Sequence, residues 1–265
     1  MNIIDVHAHL EHKDFEKDLD KVIERAKKAG VKKIINAGTM PENNRKSLEL
    51  SKKFDIIKPS FGILAIDALL ANNPELNKKL NFPTAKPFSI NKEIEWIEKN
   101  KNECVAIGEC GLDYFWIQGK ENEQKKIFLS MIELAERMNK PIVVHSRKAE
   151  QDAIEILETS KIKNVVMHCF MGNKKLIRRS FENGWFFSIP PIIKRLNHFK
   201  ILTEIVDIKQ ILTETDSPFL SHSPGERNEP ANIAVTIEEI AKIKRITKEE
   251  ASVQIFGNAK KLFKL

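Results

Sequence analysis

The sequence predicts an α/β fold, a distorted (β/α)8 TIM barrel with a metal site at the C-terminal ends of the strands. Three observations carry this reading. Eight short apolar runs alternate with helical patterns along the 265 residues. The runs are continuously apolar, as parallel strands covered by helices are. Five of them stop at a histidine or a carboxylate: His7 and His9, Glu109, His145, His168 and Asp216. A TIM barrel gathers its strand tips at one mouth. A doubly wound open sheet, the alternative, would not bring ligands from strands one, four, five, six and eight together.

Each element follows from local pattern. Asn2–Val6 is a first apolar strand running into His7-Ala-His9. Residues Phe15–Ala29 place Leu19, Val22, Ile23 and Ala26 at helical spacing, and Gly30 ends the helix. Val31–Gly38 is the second strand, and Pro41 opens a helix through Phe54. Ile56–Leu64 is the third strand. Ala65–Phe88, with three prolines and an Asn-rich middle, reads as a loop with one short helix. Ser89 caps a helix through Asn100, and Glu103–Glu109 is the fourth strand. Glu121–Asn139 is a long amphipathic helix whose buried stripe includes Ile127, Phe128, Met131, Ile132 and Ala135. Strand five is Pro141–His145, followed by a helix over Ala149–Thr159. Strand six is Lys163–His168, followed by a helix over Asn173–Asn183 that Gly184 stops. Trp185–Ile189 is strand seven, ended by Pro190-Pro191. A helix over Asn197–Val206, strand eight over Lys209–Glu214, a Gly/Pro-rich loop and helices from Ala231 complete the chain.

The length suits a single domain over residues 1–265. No apolar run reaches the ~18 residues of a membrane span, and the N-terminus lacks the pattern of a signal peptide, so a cytoplasmic protein is expected. Three cysteines, Cys104, Cys110 and Cys169, form no CxxC pair and read as buried small apolar residues rather than a disulfide or structural zinc site. The net charge of +7 is compatible with nucleic acid, but lysine is spread along nearly every helix beside glutamate, as on thermophilic surfaces.

The strand-end residues point to a metal. On a strand, i and i+2 face the same side, so His7 and His9 can grip one ion. Glu109 sits between glycines at the end of an apolar strand, where a solvated carboxylate is out of place; its two oxygens suit bridging two cations ~3.5–4 Å apart. His145 and His168 end successive buried strands. Singly each reads as a core histidine, together as ligands. Asp216, ahead of Pro218, is read as ligand and general base rather than helix cap. His12, His198 and His222 lack such a setting and are expected at the surface, His222 being the one that could reach the mouth of the site. The histidine-rich ligand set favours a transition metal.

These residues fall in a set of motifs. His-Ala-His-Leu at 7–10, Gly-Glu-Cys-Gly-Leu-Asp-Tyr at 108–114, Pro-Ile-Val-Val-His-Ser-Arg at 141–147, His-Cys-Phe at 168–170, Ser-Ile-Pro at 188–190 and Glu-Thr-Asp-Ser-Pro at 214–218 resemble the TatD family of metal-dependent hydrolases, in the amidohydrolase superfamily. The resemblance runs in order over nearly the whole chain. It implies a two-metal site and deoxyribonuclease activity of the 3′→5′ exonuclease type on a DNA substrate, with no membrane partner and the monomer favoured. It implies that His7, His9, Glu109 and Asp216 hold one divalent ion and Glu109, His145 and His168 the other, whether Zn, Mn, Mg or Ni. Arg147, Arg227 and Asn228 resemble the family's substrate-contacting segments. The chain departs from the family at Glu11, at Gly62-Ile-Leu-Ala65 where a His-Pro pair is common, at Met171, and at Lys261 near the C-terminus. None of these removes a ligand; the altered third-strand loop bears on substrate choice. Hydrolysis of another ester at the same site, such as a D-aminoacyl-tRNA, and a non-catalytic nucleic-acid-binding barrel are the rival functions. Convergent ligands weigh against the last.

Overall fold

The computed structural model describes residues 1–82 and 85–265. Eight parallel strands follow one another around a single sheet in chain order. They are β1 (Ile3–Ala8), β2 (Val31–Ala37), β3 (Ile57–Phe61), β4 (Ala106–Asp113), β5 (Ile142–Arg147), β6 (Val165–His168), β7 (Phe186–Ile189) and β8 (Ile211–Thr213). The helices between and after them are α1 (Leu19–Lys28), α2 (Pro41–Lys53), α3 (Ala65–Asn72), α4 (Pro74–Leu80), α5 (Ile90–Lys99), α6 (Glu121–Met138), α7 (Glu150–Glu158), α8 (Lys174–Glu182), α9 (Asn197–Ile205), α10 (Ile233–Lys244) and α11 (Lys248–Phe263). This is the TIM barrel that the alternation of apolar runs and helical patterns predicts. No helix among the described residues is long and apolar enough to cross a membrane.

The barrel is nearly closed. Seven neighbouring pairs form parallel ladders, with register shifts in β1–β2 and β4–β5, whereas β8 meets β1 through single bonds. Thr213 Oγ1 donates to Ile4 O, the amide of Asp216 to His7 O at 2.8 Å, and the amide of His9 to Ser217 O at 2.8 Å. Two of these bonds join backbone on either side of ligand candidates, so closing the barrel and assembling the site are one event. Ile4, Val6, Ile35, Ala106, Val143, Val166 and Leu212 form one buried cluster with Ala259, Leu262 and Phe263 of α11, which plug the end opposite the site. A larger cluster packs the other strand faces against the surrounding helices.

Three expectations change. The first helix starts at Leu19, not Phe15: residues 13–15 make a single 3-10 turn, and Asp18 leaves helical geometry with φ −143°. The segment expected as loop with one short helix holds two, α3 and α4; Asn73 caps the second by accepting from Leu76 N, and Pro74 starts that helix instead of breaking it. Residues 83–84 of the expected loop lie outside the described residues. The fourth strand does not end at Glu109 but runs on to Asp113, paired with β5 up to Asp113↔Arg147. Gly111 permits this. Its φ is +137°, and a Cβ there would stand 2.0 Å from His145 O.

Candidate metal centre

The side chains that the sequence singles out at strand ends do converge. His7 and His9 of the β1 tip turn their Nε2 atoms toward each other at 3.2 Å. Glu109, now inside β4, enters from one side: Oε2 lies 3.2 Å from His7 Nε2 and 3.4 Å from His9 Nε2. Its other oxygen, Oε1, lies 2.9 Å from His145 Nδ1. Asp216 enters from beyond β8, with Oδ1 3.3 Å from His9 Nε2 and 3.7 Å from His7 Nε2. The His168 ring stacks on that of His7 with centroids 3.8 Å apart. Among the described residues, two groups have ligand atoms all within 4.8 Å of one another: His7, Glu109, His168, and His7, His9, Asp216. His145 joins neither tight group and reaches the centre through Glu109.

Asp216 has φ +52°, a left-handed conformation that Asp tolerates better than most residues. No helix begins there: the next helical turn starts at Pro230. Its carboxylate is therefore not a helix cap.

The donor set fits divalent cations on the structure's own terms. In three of the four histidines the outer ring nitrogen faces an acceptor. His9 Nδ1 lies 3.1 Å from Ala37 O and 3.5 Å from Glu11 Oε1. His145 Nε2 lies 3.0 Å from Asp113 Oδ2, and His168 Nδ1 lies 2.6 Å from Glu214 Oε2. An N–H donated outward leaves the inner nitrogen with a lone pair aimed at the centre, as metal-ligating histidines require. His7 is the exception, its Nδ1 being buried without a partner among the described residues.

Electrostatics lead to the same place. No lysine or arginine among the described residues forms an ion pair with Glu109 or Asp216. Burial opposes ionising Glu109, yet hydrogen bonds from His145, His7 and His9 hold its carboxyl well below the usual range. Burial likewise opposes ionising Asp216, and the hydrogen bond with His9 together with the charges of His168, His9 and His7 outweighs it. Burial opposes charging His145, but Asp113 and Glu109 push it up to about 10; for His168, Glu214 outweighs burial and gives about 9. Left to itself, the protein answers its carboxylates by protonating histidines. A site short of positive charge suits cations.

The remaining predicted residues divide. Arg147 is exposed and lines the cavity of about 640 Å³ above the centre. Arg227 and Asn228 do not. The Arg227 guanidinium is spent on Asp18, at 2.8 and 2.7 Å from its two carboxylate oxygens. Asn228 is fully buried; it donates to Thr215 O at 2.7 Å and its own amide donates to Pro218 O at 3.0 Å. These two brace the loop that carries Asp216. His12, expected at the surface, is half-buried and lines the cavity, because it packs against Phe219. His198 and His222 are half-buried away from it. Cys104 and Cys110 are buried and free, as expected, and Cys169 is half-buried.

Several functional residues escape sequence reading. Asp113 and Glu214 hold the candidate ligands His145 and His168, and Ser188 Oγ donates to Glu214 Oε2 at 2.6 Å. Asp5 is buried and ties the two strand tips together: it accepts from Thr215 N at 2.9 Å, Thr215 Oγ1 at 2.5 Å and His7 N at 3.3 Å. Burial raises its carboxyl to about 8. Asp67 lines the cavity, and burial raises it to about 6. The available signal was an acid one or two residues from a ligand, or within the same motif.

Comparison with known proteins agrees with this geometry. The family described as TatD related DNase matches residues 4–264. The chain is 37% identical over 263 residues to an uncharacterized metal-dependent hydrolase of Methanocaldococcus jannaschii, covering 98% of this chain and 96% of that one. It is 35% identical over 268 residues to Deoxyribonuclease TATDN3 of Homo sapiens, covering 99% and 95%. In fold it is similar to YjjV, a TatD homologue from Escherichia coli, with a TM-score of 0.87 at 23% identity over 99% of this chain and 98% of that one. With the barrel, the donor set and a match over nearly every residue in agreement, the chain belongs to the TatD related DNase family of metal-dependent hydrolases.

Proposed function

We propose that this protein is a metal-dependent deoxyribonuclease that hydrolyses phosphodiesters at a two-metal centre, with the 3′→5′ exonuclease polarity that the resemblance implies. The observation that carries the reading is the division of Glu109. One oxygen faces His7 and His9 and the other faces His145, an arrangement suited to two cations sharing one carboxylate. His7, His9, Glu109 and Asp216 would hold one cation, and Glu109, His145 and His168 the other. Cations held there would lower the pKa of water and neutralise the charge that builds on phosphate oxygens.

The protein's own groups do the rest. Asp216, held ionised at neutral pH by His9, His168 and His7 together, is the group placed to accept a proton. Asp113 and Glu214 keep His145 and His168 in the tautomer that faces inward. Arg147, exposed at the rim, offers a guanidinium fork to phosphate oxygens. The relative named Deoxyribonuclease TATDN3 supports the choice of DNA.

The test is digestion of 3′-labelled and 5′-labelled single-stranded DNA by protein resupplied with Mn²⁺ or Zn²⁺, beside a D-aminoacyl-tRNA ester and a chelated control. Metal-dependent release of mononucleotides is expected. Turnover of the ester alone would replace the nuclease reading with that of a deacylase. Binding without turnover of either would leave a nucleic-acid-binding barrel.

A further inference from the structure

His9, His145 and His168 each have an outer ring nitrogen held by an acceptor. The Glu109 carboxylate has no such support. Among the described residues its oxygens meet only His7, His9 and His145. Those oxygens can divide between the two halves of the centre only if the Glu109 backbone is held in place.

Glycines hold it. The amide of Glu109 donates to the carbonyl of Gly38, just past β2, at 2.9 Å. Gly62, just past β3, lies so close on the other side that a Cβ there would stand 2.3 Å from Glu109 O. Neither glycine has a side chain with which to fix its own position.

What fixes them comes from α2. Asn44 is fully buried, and its carboxamide spans Gly62. Nδ2 donates to Gly62 O at 2.9 Å, and Oδ1 accepts from Gly62 N at 3.1 Å. The same group packs against Gly38, where a Cβ would stand 2.1 Å from Asn44 Oδ1. A helix on the outside of a barrel ordinarily turns apolar side chains toward the strands. A buried amide in that position costs free energy unless its donors and acceptor are used. Here the remaining donor goes to Glu93 Oε1 of α5 at 2.8 Å. Glu93 is itself buried and paired with Arg45, whose guanidinium carbon lies 3.7 Å from the centre of the Trp96 ring. Because the Gly62 amide can only donate and the Glu93 oxygen accepts, the carboxamide has one orientation.

We propose that Asn44 is a positioning residue for Glu109. By clasping Gly62 and filling the space behind Gly38, it fixes the Glu109 backbone, and with it the way the two carboxylate oxygens divide. The inference rests on the two-metal reading of Glu109 and extends it to α2 and α5. Neither Asn44 nor Glu93 lines the cavity above the centre.

The test reads metal binding and stability separately. Mn²⁺ affinity is measured by competition with a chromophoric chelator, and the melting temperature on metal-free protein. Asn44→Ala is expected to weaken Mn²⁺ binding by about ten-fold, the low end for loss of a group that supports a metal ligand. In electron paramagnetic resonance, the exchange-coupled signal of a Mn²⁺ pair should give way to that of isolated ions. Glu93→Gln is the control for a merely structural role. Its carbonyl still accepts from Asn44, while the ion pair with Arg45 is lost. It should lower the melting temperature and leave the affinity within about two-fold of the unsubstituted protein, short of that range. Equal losses of affinity in the two variants would overturn the assignment, as would an Asn44→Ala affinity within about two-fold of the unsubstituted protein. If Asn44→Ala shows no cooperative melt, Gly38→Ala carries the test, because its methyl meets the Asn44 carboxamide first and displaces it. The same loss is then expected, and an unchanged affinity overturns the proposal. Failure of the two-metal reading shows elsewhere, as the absence of any coupled signal from the unsubstituted protein with Mn²⁺. The affinity comparison then still decides for or against Asn44.

Discussion

Oδ2 of Asp113 lies 3.0 Å from Nε2 of His145, and that contact decides which nitrogen of the ring faces the metal centre. A carboxylate can only accept, so Asp113 fixes a proton on His145 Nε2 and leaves Nδ1, 2.9 Å from Glu109 Oε1, as the nitrogen whose proton a cation would displace. Glu214 does the same for His168 from the other side of the barrel, with the roles of the two nitrogens exchanged.

Asp113→Asn tests this directly. The amide is nearly isosteric, and its oxygen can still accept from Phe115 N and Trp116 N. Its NH2 then faces His145 and donates, which forces the imidazole proton onto the inward nitrogen. Metal affinity is expected to fall by about 10–100-fold, the usual cost of losing such a partner. Competition against a chromophoric chelator measures it. An affinity within a factor of about two of the unsubstituted protein, far inside that range, would show that Asp113 does not set the tautomer.

Asp216→Asn separates base from ligand. Asn tolerates the left-handed backbone at φ +52° and keeps a carbonyl oxygen for coordination. It cannot take a proton. The hydrolytic rate is expected to drop by about 10²–10⁴ with the melting temperature nearly unchanged. Retention of more than about a tenth of the rate, above the low end of the general-base range, would move the base elsewhere.

Removing the metal should destabilise the fold. The donor set joins β1, β4, β5, β6 and the segment after β8, and a ligand that binds only the folded chain adds about 2.7 kcal/mol at a hundred times its Kd. Thermal melts with and without Mn²⁺ or Zn²⁺ are expected to show a metal-dependent rise, and Glu109→Gln to abolish most of it. The same rise in the Gln variant would mean that the ions bind somewhere other than this centre.

The convergence of His7, His9, Glu109, His145, His168 and Asp216 was legible because each stops an apolar run in the sequence, and a barrel brings such positions to one mouth. The barrel was legible from the same runs. What the pattern hid were partners distant in sequence. Asp5 reads as one polar residue in an apolar strand, yet it bonds Thr215, 210 positions away. Glu214 reads as the strand's end, and only the fold sets it against His168. Strand β4 ran past its expected end because its extension depends on Gly111 passing close to His145 O, a contact between strands that no local pattern records. Arg227 misled for the opposite reason. An arginine near a ligand motif looks available for phosphate until its own carboxylate partner is located.

That partner gives the last prediction. Arg227 Nη2 lies 2.7 Å from Asp18 Oδ2, with Arg25 also near that carboxylate. The hydrogen bond from Arg227 is the main cause that lowers Asp18 from 3.8 to about 2. A group whose folded pKa is depressed adds stability that is present above its unfolded pKa and is lost as pH falls through the folded one. Asp18→Asn should therefore lower the melting temperature at pH 7, and the gap should close between pH 4 and pH 2. Both side chains are partly exposed, so salt should shrink the gap as well. Arg227→Ala should lower the melting temperature at pH 7 in parallel, with less effect on KM for DNA than Arg147→Ala, whose guanidinium faces the cavity. If Arg227→Ala instead raised KM as much as Arg147→Ala while leaving the melt unchanged, the Asp18 pair would be incidental, and Arg227 would have to swing free of it to meet the substrate.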